Sequence, residues 1–164
     1  MVDGRVLGVD ACRTGWVGIC LSLGSPPAAY FAPGIDELVA AADRDGAVEV
    51  VAIDMPIGLP DRGPRDADLL VRQAIGPRRS SADRHLPHPK STWAGVEQRR
   101  ALLADAGITL TGDLGQAGAA AGVDDILDAA VTAWTAHRAA NGQAHSLPNP
   151  PQTFSDALPS AAWY

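Results

Sequence analysis

The sequence predicts an α/β fold in which an antiparallel meander of three strands is extended by a parallel strand and flanked by helices. Three β-prone segments lie within the first 31 residues, and the connections between them are too short for a parallel crossover. A helical repeat then separates the meander from a fourth β-prone run, which predicts that this run pairs in parallel. A long apolar stripe with helical spacing follows near the C-terminal end.

The strands are predicted from short apolar runs separated by turn residues. Those of the meander are placed at 5–10, 16–21 and 28–31. The apolar repeat from Ile35 to Ala42 predicts the first helix, and Gly46 ends it. The next run, at 48–53, is rich in valine, a residue that favours strands, and it stops at Asp54.

The second half of the chain is predicted to be mainly helical. Helices are placed at Pro64–Ile75, at Val96–Ala106 and from Val123 to just before Gly142. Residues at about 77–93 lack periodicity and are predicted to form a loop. Residues at about 147–164 are rich in proline and are predicted to be a tail that packs along the surface through Trp163. The glycine- and alanine-rich stretch 109–121 indicates no particular structure.

Length and composition favour one globular domain over residues 1–164, since 46% of the residues are hydrophobic and 20% are charged. No apolar run reaches eighteen residues, which argues against a membrane span. The N-terminus leads directly into a strand-like segment instead of a cleavable leader. We therefore expect a cytoplasmic protein without a membrane partner.

The charge of the chain is unevenly distributed. The net charge of −6 argues against a polyanionic partner, but residues 61–100 hold nine of the thirteen basic residues and five of the nineteen acidic ones. This segment is therefore at +4 and the remainder at −10. An acidic metal centre beside a phosphate-facing segment would give this pattern, and so would a solvated charged helix and loop. Substrate phosphate contacts are predicted for Arg65, Arg72, Arg78 and Arg79, although the first two could instead pair with Asp61 or Asp68.

Two aspartates follow predicted strands directly. Asp10 ends the first strand and Asp54 follows strand 48–53, so that neighbouring parallel strands would present both carboxylates at one edge of the sheet. Two such carboxylates are costly to bury without a cation between them, and hard oxygen ligands suit Mg²⁺ or Mn²⁺. Alternatively, Asp10 caps a turn and Asp54 is satisfied by backbone amides.

The last helix contributes further acidic candidates. Asp124 and Asp125 lie in its first turn, where one of them could be only an N-cap. Asp128 lies inside the helix beside the apolar stripe, where an unpaired carboxylate needs a reason. His85 and His88, in the predicted loop, could approach a phosphate or lie unengaged at the surface.

The motifs together resemble a family of predicted RNase H-like nucleases known as domain of unknown function 429. The similar segments are Val6–Val17, Ile53–Pro60, Arg65–Ser81, Asp124–Ala130 and the ending Ala162–Tyr164. The resemblance implies an RNase H-like fold with Asp10, Asp54 and Asp128 as catalytic metal ligands and Asp125 as a fourth. The Asp-x-x-Asp spacing of the last helix is also similar to that of Holliday-junction resolvases.

The chain departs from the family pattern in its middle. The family has a further core strand between the Arg-Arg-Ser-Ser motif and a Lys-Thr-x-x-Gly segment, whereas here Lys90 follows Ser81 by only nine positions and begins the corresponding segment Lys90–Gly95. A shortened sheet would expose an edge. We expect a partner chain over that edge, for example in a homodimer, or a local substitute, or a loss of activity.

Three functions are compatible with these features. The first is a nuclease or other phosphodiesterase that uses the aspartates to bind divalent metal and activate water. The second is a catalytically reduced RNase H-like module for binding or oligomerisation. The third is an actin-like phosphotransferase, which the turn after Asp10 loosely suggests, but the chain is too short for two such lobes.

Overall fold

The structure of the chain is a computed structural model that describes residues 4–75 and 86–164. The described residues group into two compact units, one drawn from Met1–Asp54 with His88–Gln143 and one from Met55–Pro87 with Ala144–Tyr164. The first unit contains the larger sheet and most of the helices. Compact units of this kind occur within domains as well as between them, so the count of one domain stays a prediction.

The sheet of the first unit has four strands, which are β1 Arg5–Cys12, β2 Gly15–Leu21, β3 Ala28–Ala32 and β4 Val48–Ile53. Their order across the sheet is β3-β2-β1-β4. The first three strands pair antiparallel, and β4 pairs parallel with β1. The predicted mixed sheet, a meander extended by a parallel strand, is confirmed.

Helices flank this sheet, as predicted. The helices of the first unit are α1 Ile35–Arg44, α3 Trp93–Asp105, α4 Gly115–Ala120 and α5 Val123–Ala140. The second unit contains α2 Asp66–Ile75 and a two-stranded sheet of β5 Ser146–Thr153 and β6 Pro159–Trp163. Within the described ranges, no helix combines the length and the apolar character needed to cross a bilayer.

The two faces of the larger sheet bury different helices. Side chains alternate along a strand, so Leu7 and Val9 of β1 face one side, where they pack with Leu38 of α1. On the other side, Ile19 of β2 packs with the alanine-rich stripe of α5. The largest side chains of this core are fully buried, and their burial contributes to the hydrophobic stabilisation of the unit; they include Leu7, Val9, Ile19 and Leu38.

Gly8 lets α5 lie directly on β1. A Cβ atom at this position would stand 1.9 Å from the backbone nitrogen of Ala133 and 2.3 Å from the carbonyl oxygen of Ala129. No side chain fits in that space. The glycine and the small residues of the helix therefore fix how α5 sits along β1.

Several elements differ from their predicted bounds. Helix α2 begins at Asp66, after the predicted Pro64, whereas α3 begins at Trp93, before the predicted Val96. The earlier start of α3 arises because Thr92 caps it: the threonine Oγ1 accepts a hydrogen bond from the Gly95 N–H at 3.1 Å. The short helix α4 lies in the stretch that indicated no structure.

The proline-rich tail contains β5 and β6, which sequence patterning did not predict. The two strands pair at Ser146 and Leu147, and again at Gln152 and Thr153, with an irregular register between. Three prolines occupy that irregular stretch, where the absence of an N–H donor costs no ladder hydrogen bond. Trp163, expected to pack the tail down, is 51% exposed.

Candidate metal centre

Asp10 takes its position from the alternation of β1. Two residues beyond Gly8, it lies on the face of the sheet that α5 covers, and it pairs with Val17 of β2. Its Oδ1 accepts a hydrogen bond from the Ala11 N–H at 2.8 Å. The side chain is half-buried, so it is partly removed from water and still accessible to a ligand.

Asp54 is aligned with Asp10 by the parallel pairing of β4 with β1. Ile53 is the register partner of Val9, and the Asp54 N–H donates to the Val9 carbonyl oxygen at 2.8 Å. The ladder thus continues one residue past β4. The two aspartates lie at the same edge of the sheet, as predicted from the strand ends.

Asp128 reaches this edge because of how α5 lies on β1. Asp10 is two residues beyond Gly8, about 7 Å along an extended strand. Asp128 precedes Ala133, the residue against Gly8, by five positions, about 7.5 Å along a helix. The two displacements match, so the same close contact that seats the helix also brings its carboxylate to the strand end.

The three aspartates form a compact group. One carboxylate oxygen from each of Asp10, Asp54 and Asp128 lies within 4.8 Å of the others. Asp10 and Asp128 are half-buried and Asp54 is exposed. Three acidic oxygens at this spacing are the kind of donor set that hard divalent cations take.

The environment makes Asp10 unusually hard to ionise. Burial raises the pKa of its carboxyl group to about 6, and the charges of Asp54, Asp128 and Asp125 add to this, while the Ala11 N–H opposes it. Repulsion among the carboxylates is thus present in the folded protein. A cation bound among them would relieve it.

The two aspartates in the first turn of α5 have different partners. The Oδ2 atom of Asp125 accepts the Gly122 N–H at 3.2 Å, which is a capping contact at the start of the helix. The Oδ2 atom of Asp124 lies 3.7 Å from the ammonium of Lys90. Neither belongs to the group of three close carboxylates, although the charge of Asp125 acts on Asp10. A role for Asp125 as fourth ligand stays a prediction.

Lys90 is a functional candidate that sequence reasoning noted but did not assign. Its Nζ atom lies 2.7 Å from Oδ2 of Asp128, and this hydrogen bond raises the pKa of the lysine. The two residues are 38 positions apart, so no local pattern could have paired them. Two signals were available: Lys90 is the only lysine in a chain with twelve arginines, and it begins the segment compared with the Lys-Thr-x-x-Gly motif of the family.

The residues predicted to contact phosphate give a mixed result. Arg65 is held by Asp68 through two hydrogen bonds, of 2.6 and 3.1 Å, as one of the sequence alternatives proposed. Arg72 is exposed in the second unit. Arg78, Arg79 and His85 lie outside the described residues. His88 is exposed, and its carbonyl oxygen accepts from Arg99 at 3.1 Å.

The chain matches the family described as protein of unknown function, DUF429, over residues 8–83 and 80–153. These two segments include all three clustered aspartates and cover most of the sequence. No curated protein and no solved structure matches the chain.

Proposed function

The chain belongs to the DUF429 family of proteins of unknown function, and we propose that it is a metal-dependent phosphodiesterase of the RNase H-like type, acting as a nuclease. The observation that carries this proposal is the group of three carboxylate oxygens within 4.8 Å, drawn from Asp10, Asp54 and Asp128. Two come from adjacent strand ends and one from the helix packed across them. The antiparallel meander with a parallel fourth strand is compatible with the proposed RNase H-like identity.

The donor set fits Mg²⁺ or Mn²⁺. All three groups offer hard oxygen ligands, and the exposure of Asp54 leaves room for water and substrate around an ion. We include Asp125 as a fourth, outlying ligand in this proposal. When bound, a divalent cation would supply Lewis acidity and neutralise charge at a phosphoryl group.

Nucleic acid is the substrate class that we propose. The acidic net charge of −6 calls for metal ions and a basic segment to offset the repulsion of a polyanion. Arg65, Arg72, Arg78 and Arg79 remain the proposed contacts to substrate phosphates, with Arg65 having to leave Asp68 to make one. We also propose that the protein is cytoplasmic.

A second candidate is a catalytically reduced module that binds or oligomerises. The observation that favours it is the position of β4, which among the described residues pairs only with β1 and so forms one edge of the sheet. The residues from Val50 to Ile53 are half-buried, unlike the fully buried centre of β1. A homodimer formed along this edge would cover its free backbone groups.

Calorimetric titration with Mn²⁺ tests the metal site. We expect the wild type to bind and an Asp10→Asn/Asp54→Asn double variant not to bind, because two of the three donors lose their charge. A control double variant, Glu49→Gln/Asp105→Asn, removes the same two charges at exposed positions outside the cluster and should bind like the wild type. Equal binding by the wild type and the Asp10/Asp54 variant would exclude the proposed metal centre.

Cleavage assays separate the enzyme from the reduced module. Labelled single-stranded, duplex, hybrid and branched nucleic acids would be incubated with protein and Mg²⁺ or Mn²⁺. The phosphodiesterase proposal expects cleavage of at least one substrate that disappears in the Asp10/Asp54 variant. Metal binding without cleavage, together with a dimer in sedimentation velocity, would favour the second candidate.

A further inference from the structure

Among the described residues, Lys90 is the cation that makes ion pairs with Asp124 and Asp128 at the acidic cluster. The ammonium contacts Asp128 at 2.7 Å and Asp124 at 3.7 Å, and its side chain is 48% exposed. Asp10 is also close enough for its charge to act on the lysine. One positive charge therefore faces several negative ones, and the cluster keeps an excess of negative charge.

The backbone around Lys90 is held in place by the start of α3. The Thr92 N–H and hydroxyl both donate to the carbonyl oxygen of Pro89, at 3.0 and 2.8 Å. A Cβ atom on Gly95 would stand 1.9 Å from that same oxygen, so the first turn of α3 packs directly on the segment. These contacts fix the backbone of the turn that contains Lys90, and this fixed backbone positions the lysine side chain at the cluster.

A lysine at position 90 suits a contact with Asp128 that another cation can replace. Arginine would bind a carboxylate through two parallel hydrogen bonds, whereas lysine is a point charge on a flexible stem. Twelve of the thirteen basic residues of this chain are arginines, and the single lysine is the one at the cluster. A half-exposed lysine can move away from Asp128 into solvent more easily than a buried one.

We propose that Lys90 is a resident counterion of the aspartate cluster, that a divalent cation displaces its ammonium from Asp128, and that the released ammonium then binds the phosphate of the substrate. The inference rests on the metal-dependent function proposed above and adds a residue and an order of events to it. It predicts effects of opposite sign. Loss of the lysine charge strengthens metal binding, because a competing cation is gone, and weakens phosphate binding, because a ligand is gone.

The metal arm of the test is calorimetric titration with Mn²⁺ alone. We expect Lys90→Gln to bind Mn²⁺ about ten-fold more tightly than the wild type, since removal of one unit charge a few ångströms from the ion changes affinity on this scale. Lys90→Arg keeps the charge and should stay near the wild type. The control is Arg44→Gln, which removes a positive charge from the last turn of α1, next to the start of β4 and away from Asp54, and should stay within about two-fold.

The phosphate arm uses inorganic phosphate as the probe, titrated into protein saturated with Mg²⁺. Lys90→Gln should bind it about ten-fold more weakly, with Lys90→Arg recovering most of the loss. A purely structural role for the lysine would move both affinities in the same direction. Unchanged or weaker Mn²⁺ binding by Lys90→Gln overturns the proposal, and so does unchanged phosphate binding.

A direct readout exploits the uniqueness of the lysine. Reductive methylation with ¹³C-formaldehyde keeps the charge and gives one lysine dimethylammonium signal besides that of the terminal amine. We expect Mg²⁺ to shift this signal in the same direction as Asp128→Asn does without metal, because both release the ammonium. If the wild type binds Mn²⁺ but the signal does not move, only the exchange is wrong. If the wild type binds no Mn²⁺, the proposed function fails with it.

Discussion

Substitution of Gly8 by alanine should damage both the stability of the fold and the metal centre. The new Cβ atom would lie 1.9 Å from the Ala133 nitrogen, 2.3 Å from the Ala129 carbonyl oxygen and 2.5 Å from the Ala133 Cα. Ordinary contacts begin at 3.4 Å. All three neighbours are backbone atoms of α5, so no side-chain rotation can relieve the overlap, and the helix must retreat by more than 1 Å.

The size of the effect follows from this geometry. Overpacking in a well-packed core costs about 1–3 kcal/mol, and a clash with backbone on three atoms belongs at the upper end, about 3 kcal/mol. For a chain of this length each kcal/mol corresponds to roughly 2–4 °C in melting temperature. We therefore expect the melting temperature to fall by roughly 6–12 °C. Since α5 also carries Asp128, its retreat should weaken Mn²⁺ binding at temperatures where the variant is still folded.

Thermal melting followed by circular dichroism in metal-free buffer measures the first effect, and Mn²⁺ calorimetry measures the second. The matched control is Gly118→Ala in α4, where the nearest atom to a new Cβ is a side-chain carbon of Leu114 at 3.2 Å. Alanine in a helix interior should leave the melting temperature unchanged or raise it slightly. A Gly8→Ala protein that melts within 2 °C of the wild type would show that α5 does not pack on β1 in the way described.

Three further predictions concern the charges and caps around the cluster. In metal-free protein, Asp10 has its pKa raised to about 6 from the 3.8 expected in the unfolded chain, so the folded state holds a proton that unfolding releases. The contribution of the protonated Asp10 to stability is complete below about pH 4 and is lost as the pH rises through 6. Between these pH values, the free energy of unfolding in urea should fall by about 1 kcal/mol more for the wild type than for Asp10→Asn, a figure discounted for solvent screening. The same proton competes with metal, so Mn²⁺ affinity should fall below pH 6 in calorimetry. Asp125→Ala should cost about 1 kcal/mol because the Gly122 N–H loses its partner, and it should lower Mn²⁺ affinity less than Asp128→Asn does, because Asp125 lies outside the group of three; unchanged affinity would exclude Asp125 as the fourth ligand. Thr92→Ala should cost about 1 kcal/mol in urea unfolding because the Gly95 N–H loses its partner, and no change would mean that the cap contributes nothing.

The sheet could be predicted from sequence because its signals are local. Short connections force the meander to be antiparallel, and a helix between strands forces β4 to be parallel to β1. Asp10 and Asp54 follow from these rules, since each residue comes directly at the end of a strand. Asp128 was predicted from its place beside the apolar stripe of α5.

What could not be predicted depends on tertiary contacts or on residues with weak preferences. The prolines of β5 give its sequence the pattern of a loop, and only its pairing with β6 in the structure identifies it as a strand. Glycine and alanine in α4 favour no periodicity. The capping contact of Asp125 is local, and the sequence alternatives included a cap in this turn, but they did not say which aspartate would make it. The contact of Lys90 with Asp128 spans 38 residues and is not visible in a local pattern.

The separation of the clustered aspartates along the chain has a consequence for how the protein is made. Asp10 and Asp54 are brought together by strand pairing within the first third of the sequence, but Asp128 follows Asp10 by 118 residues. Closing so long a loop is slow, and during synthesis it must wait until α5 has emerged from the ribosome. The three carboxylates therefore cannot come together before α5 has been synthesised and has packed on β1, so the proposed metal centre is completed late, at the step in which this helix covers the sheet.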